Sequence, residues 1–205
     1  MSWPIDADGE AMLALLGSQR AHREILPDPI PDELVERLLV AATHAPSAEN
    51  RQPWAFVVVR DEAARARIGE IAAEVWRAGA REHSRERLGE RLFADVDRWA
   101  SGGLGRAPVV IVVCGDRDRS DPRSLAASVY PAAQNLCLAA HALGLGSLFS
   151  TLATASPDLA RLLSLPPNLV PMVVVPVGRP ARRLGPPRRA ALSTRAFRER
   201  WGSPW

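Results

Sequence analysis

Residues 45–54 combine side-chain types that are suited to binding a flat polar molecule. Ser47, Asn50 and Gln52 carry hydroxyl and amide groups that can both donate and accept hydrogen bonds. Two prolines in the same stretch restrict the backbone, which lowers the entropy lost when the loop becomes ordered. The pattern predicts either a loop that recognises a heterocycle or a capped turn between two elements, and the spacing alone does not decide between them.

Two arginines, Arg20 and Arg23, stand three residues apart just after a short helix predicted at residues 10–16. This spacing lets both guanidinium groups face one anion, although two solvated arginines would show the same spacing. Three prolines between residues 27 and 31 make the following segment extended and stiff. All 26 basic residues of the chain are arginine, so any fixed positive charge in a site must be a guanidinium.

The composition is that of a soluble globular protein with one domain over residues 1–205. The apolar content of 47% and the charged content of 24% are sufficient for one substantial core. The lack of lysine, together with abundant alanine and proline, indicates a GC-rich bacterial genome. The net charge is only +3 and acids are interspersed with the arginines, which argues against nucleic acid as a partner.

Three further patterns predict a cytoplasmic protein that does not enter a membrane. Residues 1–16 contain three acids and no basic amino-terminal region, which argues against a secretory signal. Cys114 and Cys137 lie in apolar runs without metal-ligand spacing, so we expect buried, reduced thiols. The nearly uncharged residues 124–157 are interrupted by proline and glycine, so we expect a buried helix and strand there.

Apolar periodicity predicts alternating helices and strands. Further helices are expected at residues 34–44, at 62–81 after the capping residue Asp61, at 124–143, and from Ser156 onwards. Pro131 should start or kink the third of these helices, and Gly144 should end it. Buried or short strands are expected at residues 56–59, 108–113, 147–150 and 170–177. The polar residues 82–104 should form a mobile helical excursion that ends at a pair of glycines.

The sequence lacks the motifs of conventional acid–base or nucleophilic catalysis. The run Gly144-Leu145-Gly146 follows a helix and lacks the third glycine of a dinucleotide fingerprint. The four histidines show no ligand spacing, so no metal site is expected, and neither a nucleophile elbow nor a phosphate loop is present. We therefore assign no catalytic residue and expect a bound cofactor to carry the chemistry.

Three blocks, taken in order, resemble the nitroreductase family of flavin-dependent oxidoreductases. The first is the arginine-rich opening at residues 20–23, followed by the proline-containing residues 29–31. The second is Ala45-Pro46-Ser47 with Asn50 and Gln52-Pro53-Trp54. The third runs from Tyr130 to Asn135 and continues into the glycine-containing residues 143–147. Gly178 and the basic Pro187-Arg188-Arg189 also fit, and the similarity spans residues 12–192.

The resemblance implies an α+β fold with a central, mostly antiparallel sheet flanked by helices. It also implies an intertwined homodimer, with a tail at about residues 180–205 that extends towards the partner subunit and one FMN at each interface. Family positions assign the flavin phosphate to Arg20 and to Arg189, or to Arg188 if the register slips by one. Arg23 would lie beside the flavin N1 and C2 carbonyl, where reduced flavin is negative. The other residues implied to contact the flavin, some from the partner subunit, are Ala21, Pro46, Ser47, Asn50, Gln52, Ser150 and Thr151.

The implied activity is ping-pong hydride transfer from NADH or NADPH, through flavin N5, to a small electron acceptor such as a nitroaromatic or quinone. Members of the family also catalyse dehalogenation, flavin fragmentation and peptide desaturation, so these reactions remain alternatives. A flavin-binding or redox-sensing protein with little turnover, and an α+β domain without a cofactor, are further alternatives. The chain departs from the usual family opening at Gln19, Ala21 and Ile25, which predicts that one phosphate contact is weakened.

Overall fold

A four-stranded sheet lies at the centre of residues 6–205, the part of the chain that the computed structural model describes. The strands, in the spatial order β1-β2-β4-β3, are β1 (Trp54–Val59), β2 (Val109–Asp116), β3 (Gly146–Ser147) and β4 (Leu169–Gly178). Each pair of neighbouring strands is antiparallel, which confirms the predicted α+β fold. The predictions of a domain that starts at residue 1 and of no secretory signal include residues 1–5, which lie outside the described residues.

The strand predicted at residues 56–59 is present, but the prediction that it is buried is wrong for all of it except Val59. β1 lies at the edge of the sheet, and Val59 is its only buried residue. β2 and most of β4 are buried because they have a strand on each side and helices on both faces. The predicted strand at 147–150 is also shorter than expected: β3 contains two residues, and Ser150 then exchanges two backbone hydrogen bonds with Val174 of β4.

Helices cover both faces of the sheet. In the described residues they are α1 (Ala7–Ser18), α2 (Asp32–Thr43), α3 (Glu62–Val75), α4 (Arg81–Arg87), α5 (Glu90–Arg98), α6 (Pro122–Ala142) and α7 (Asp158–Leu162). Asp61 caps α3 as predicted, since its Oδ1 accepts a hydrogen bond from the Ala64 amide at 2.8 Å. The helix predicted at 62–81 is interrupted, because the chain forms a π-helical turn at Trp76–Ala80 with Gly79 at φ 150°.

The helix predicted at residues 124–143 is α6, which begins two residues earlier than expected and is continuous. Asp121 accepts hydrogen bonds from the amides of Arg123 and Ser124, and Pro122 occupies the first turn of α6, where its missing amide costs nothing. Pro131 therefore lies inside the helix and does not start it. Gly144 ends the helix as predicted, with φ at +74°.

The sheet separates two helical layers, because consecutive residues of β2 point to opposite faces. Ile111 belongs to a core shared with α2 and α6. Val112 belongs to a second core shared with α3 and the turn Trp99–Gly103. Cys114 and Cys137 are buried and unpaired, as predicted, and burial raises the pKa of both thiols to about 11. Among residues 6–205, no helix is long and apolar enough to cross a membrane.

Candidate functional site

Residues 20–26 form an extended segment that is fixed against the ends of β3 and β4. Ala21 forms a parallel bridge with Ser147, and the His22 amide donates a hydrogen bond to the Ser147 carbonyl at 2.9 Å. Farther along, the Leu26 amide donates to the Arg179 carbonyl at 2.8 Å. These backbone bonds hold the segment at both ends, so the direction of its arginine side chains is set by the sheet.

Two glycines allow this segment to approach so closely. A Cβ at Gly146 would lie 3.0 Å from the His22 Cβ, and a Cβ at Gly178 would lie 2.6 Å from the Ile25 Cγ2. Real Cβ atoms essentially never show a contact of 2.6 Å and rarely one of 3.0 Å, so a side chain at Gly178 would push the segment away and one at Gly146 would crowd it. Both glycines were among the residues that carried the family resemblance, and close packing is the physical reason for them.

A cleft of about 1130 Å³ opens between this segment and the α3–α5 layer. Of the predicted site residues, Arg20, Ala21 and Arg23 line it. The opposite wall consists of α3, α5 and the glycine-rich turn that follows α5, with Trp99 as its large apolar side chain. Seven arginines and four acids line the cleft, which gives a net formal charge of +3 (7 − 4). The cleft therefore suits an anionic ligand with a planar apolar part.

Arg20 connects the cleft to the C-terminal tail. Its Nη1 donates hydrogen bonds to the carbonyls of Gly185 and Pro186, the second at 3.1 Å. Arg188 and Arg189 follow two and three residues later, so the chain brings them within about 7–11 Å of this contact. Both are exposed. The fold thus brings the arginine segment next to the tail that carries Arg188 and Arg189, whereas a shared phosphate site stays a prediction.

The Arg23 side chain is half-buried and lines the cleft. In the described residues no carboxylate forms an ion pair with its guanidinium, and no group accepts a hydrogen bond from it. Burial lowers the pKa of Arg23, Asp95 opposes this shift, and Arg20 adds to it. Because arginine stays protonated at neutral pH, the cleft contains a partly buried cation whose hydrogen-bond donors remain available to a ligand.

The loop at residues 45–52 is strained and lies in the other helical layer. Glu49, Asn50 and Gln52 all have left-handed backbone angles, with φ of 54°, 54° and 49°. Such angles cost on the order of 1 kcal/mol or more each and cluster at binding sites. Ser47 stabilises the turn, since its Oγ accepts a hydrogen bond from the Gln52 amide at 3.0 Å.

The same loop packs on α6 and not on the cleft. The Ala48 amide donates to the Ser128 Oγ at 3.2 Å, and Pro46 is exposed beside this contact. The Asn50 Oδ1 accepts a hydrogen bond from the Gln52 side chain at 3.2 Å, and both residues are exposed. Within one chain the structure therefore does not bring this loop together with Arg20 and Arg23.

Ser150 and Thr151 follow β3, the strand whose Ser147 pairs with Ala21. Ser150 is buried, and its Oγ accepts a hydrogen bond from the Leu152 amide at 3.2 Å. Thr151 is exposed, and its carbonyl accepts a hydrogen bond from the Thr154 hydroxyl. Neither residue lines the cleft, but Ala21 packs against the core that contains Leu148 and Val174.

The excursion at residues 82–104 is helical, as predicted, and forms one wall of the cleft. The Asp97 carboxylate accepts two hydrogen bonds from Arg81, at 2.9 and 3.0 Å, and one from the Trp76 indole at 2.8 Å. Arg85 lies 4.8 Å above the Phe93 ring. The Asp97 hydrogen bonds join α5 to the turn at Trp76–Ala80 and to the start of α4, and the Arg85–Phe93 contact joins α4 to α5. The two helices therefore form a helical hairpin that is fixed to the rest of the chain.

Most of the cleft residues were not singled out from the sequence as site residues, among them Asp95, Arg98 and Arg182. Asp95 and Arg98 lie in the polar excursion, where neither periodicity nor spacing distinguishes them. Arg182 lies beyond β4 and reaches Asp95 only in the folded chain. Among residues 6–205, no group of three or more His, Cys, Asp or Glu side chains is placed to hold a metal ion.

Comparison with known proteins identifies the family of this chain. The sequence model of the Nitroreductase family matches residues 16–179, which include the arginine segment, the strained loop and the whole sheet. The chain belongs to the Nitroreductase family. A Methanothermobacter thermautotrophicus relative, named "Putative NADH dehydrogenase/NAD(P)H nitroreductase", is 31% identical over 178 residues, which are 85% of this chain and 80% of the relative.

Iodotyrosine deiodinases are also similar to this member of the family. The Danio rerio enzyme is 29% identical over 185 residues, which cover 84% of this chain but only 61% of the relative. A crystal structure of iodotyrosine deiodinase bound to FMN and 3-iodo-L-tyrosine superimposes with a TM-score of 0.70 and 27% identity. That superposition covers 88% of this chain and 95% of the deiodinase chain. The family is therefore established, whereas its members differ in the reaction they carry out.

Proposed function

We propose that this nitroreductase-family chain is an FMN-dependent oxidoreductase that uses NADH or NADPH to reduce a small electron acceptor, such as a nitroaromatic or a quinone. The observation that carries the proposal is Arg23, a partly buried guanidinium that faces the cleft without an ion-pair or hydrogen-bond partner in the described residues. A cation in this state suits an anionic planar ligand. The FMN seen in the related deiodinase structure supports that identity for the ligand.

The described residues fit FMN in charge and in donor chemistry. Arg20, together with Arg189 or Arg188, would bind the phosphate, since these side chains lie on neighbouring segments joined by the Arg20 contact with the tail. Arg23 would bind the N1 and C2-carbonyl edge of the ring. Ser150 and Thr151 follow β3 beside Ala21 and would approach the opposite edge.

The strained loop would complete the site from a partner subunit. Ser47, Asn50 and Gln52 present hydroxyl and amide groups on an exposed loop, with Pro46 beside them. The loop lies in the α2–α6 layer of its own chain and the cleft lies in the other layer, so it would contact a flavin bound by a second copy. A homodimer with shared sites satisfies this geometry.

The chemistry that FMN supplies when bound is two-electron transfer in a ping-pong sequence. The chain contributes position and charge. Arg23 would stabilise negative charge at the pyrimidine edge, the arginine segment would hold the ring, and Trp99 and α5 would line the cleft around it. No side chain is required as a catalytic acid in this scheme.

The direct test is anaerobic mixing of purified, FMN-loaded protein with NADH and, separately, with NADPH. We expect a yellow protein whose flavin absorbance bleaches with at least one of the two donors and returns when a quinone is added. Protein that stays colourless after incubation with FMN would refute the proposal. Bound FMN that neither donor bleaches would instead favour a binding or sensing role.

Reductive dehalogenation is a second candidate, favoured by the similarity to iodotyrosine deiodinases. It predicts that the FMN-loaded protein, reduced with dithionite, releases iodide from 3-iodo-L-tyrosine. If the protein instead reduces nitroaromatics or quinones, we expect no more iodide release than free reduced FMN gives. An iodide electrode distinguishes the two outcomes in one experiment.

The homodimer has its own support and its own test. Large apolar side chains stay exposed on helices that pack only partly within one chain, namely Met12, Leu13, Leu16, Val40 and Tyr130. Arg20→Ala and Asn50→Ala proteins, each weak in FMN binding, should regain about one quarter of the sites when refolded together, because hybrid dimers carry one intact site. No recovery would mean that both residues serve the same chain's flavin.

A further inference from the structure

Asp95 places a carboxylate in the wall of the cleft that faces the arginine segment. It lies in α5, and its side chain is 29% exposed. Arg182, from the segment after β4, approaches its Oδ2 with Nη2 at 3.4 Å, and Arg98 approaches its Oδ1 with Nη1 at 3.8 Å. Asp95 therefore joins the hairpin wall to the chain segment that leaves the sheet.

Among the four acids that line the cleft, Asp95 has a distinct position with respect to Arg23. Glu70 pairs with Arg67 on the outer face of α3 at 3.0 Å. Glu24 points towards Arg182 at 3.9 Å. Asp95 lines the same cleft as Arg23, and its negative charge opposes the lowering of the Arg23 pKa by burial. No direct ion pair joins the two side chains in the described residues, so Asp95 does not occupy the hydrogen-bond donors of Arg23.

We propose that Asp95 is a positioning residue that sets the reduction potential of the bound flavin by partly neutralising Arg23, and that Arg182 holds it in place. This inference rests on the proposed FMN site. Reduction places negative charge on the pyrimidine edge of the ring, which Arg23 stabilises. A carboxylate that lines the same cleft as Arg23 weakens that stabilisation and also repels the reduced ring, so it makes reduction less favourable.

The test is the flavin reduction potential of the FMN-loaded protein, measured anaerobically against a reference dye. Asp95→Asn removes the negative charge at nearly constant volume. We expect the equilibrium constant for two-electron reduction to rise about tenfold, which is a shift of about 30 mV to a more positive potential. Arg182→Gln removes a cation and releases Asp95, so we expect a shift in the opposite direction.

Glu90→Gln is the matched control, because it also removes a carboxylate charge from α5. Glu90 is exposed and does not line the cleft, so its replacement should leave the potential unchanged. Equal potentials for Asp95→Asn and wild type, or equal shifts for Asp95→Asn and Glu90→Gln, would overturn the inference. If the Asp95→Asn protein does not retain FMN, the potential of Arg182→Gln is used as the test. An unchanged potential in Arg182→Gln would also overturn the inference. Failure of the wild-type protein to bind FMN would instead refute the proposed function.

Discussion

The Asp97 carboxylate should stabilise the hairpin that forms the cleft wall, and the size of its contribution can be worked out. Hydrogen bonds from Arg81 and then from Trp76 lower the pKa of Asp97 from 3.8 to about 2. At 1.36 kcal/mol per pH unit this shift corresponds to at most about 2.4 kcal/mol of unfolding free energy at pH 7. Because the side chain is 26% exposed and solvent screens part of the interaction, we expect Asp97→Asn to cost about 1–2 kcal/mol.

The sign of the pH dependence follows from the direction of that shift. The pKa of Asp97 is lower in the folded state than in the unfolded state. The carboxylate therefore contributes its full stabilisation at a pH well above the unfolded-state pKa of 3.8, and this stabilisation is lost as the pH falls through about 2. With these two values, about half of the effect remains at pH 3. The difference in unfolding free energy between wild type and Asp97→Asn should therefore be about half as large at pH 3 as at pH 7.

Urea denaturation followed by tryptophan fluorescence at pH 7, 4 and 3 measures this difference directly. Asp95→Asn is the control, since its ion pairs are long and partly exposed, and it should change the unfolding free energy by less than about 1 kcal/mol at each pH. A wild-type minus Asp97→Asn difference that is the same at pH 7 and pH 3 would refute the electrostatic reasoning. It would show that Asp97 acts through hydrogen-bond geometry alone.

Three further outcomes test the site and the packing that forms it. Gly178→Ala should lower the unfolding free energy by about 1–3 kcal/mol in a thermal melt, because the new Cβ would meet the Ile25 Cγ2 at 2.6 Å, whereas Gly17→Ala in open space should stabilise α1 slightly. Arg20→Ala should weaken FMN binding about 10- to 100-fold in a fluorescence titration, and an unchanged affinity would remove Arg20 from the phosphate site. Arg23→Ala should make the flavin potential more negative, and an equal potential would show that Arg23 does not contact the ring.

Local sequence determined much of the architecture. The β-branched runs of β2 and β4 predicted the two central strands, because a strand covered on both faces must be apolar throughout. Asp61 and Gly144 predicted where helices begin and end, since capping depends on side chains and backbone angles within a few residues. The helical character of residues 82–104 was likewise predictable. The start of α6 lies before the apolar run that predicts the helix, because Asp121 and Pro122 form its cap and first turn.

What the sequence by itself determined about function was the family, through residue types in a fixed order along the chain. Only the tertiary structure decided which of those residues meet. Arg20 and Arg23 face a cleft because Gly146 and Gly178 let their segment pack on the sheet, while the strained loop at residues 45–52 lies in the opposite layer. Asp95 and Arg182 are 87 residues apart, and the residues around each of them do not predict that they form an ion pair. Contacts of this kind depend on how the layers fold together, so they become visible only when the chain is folded.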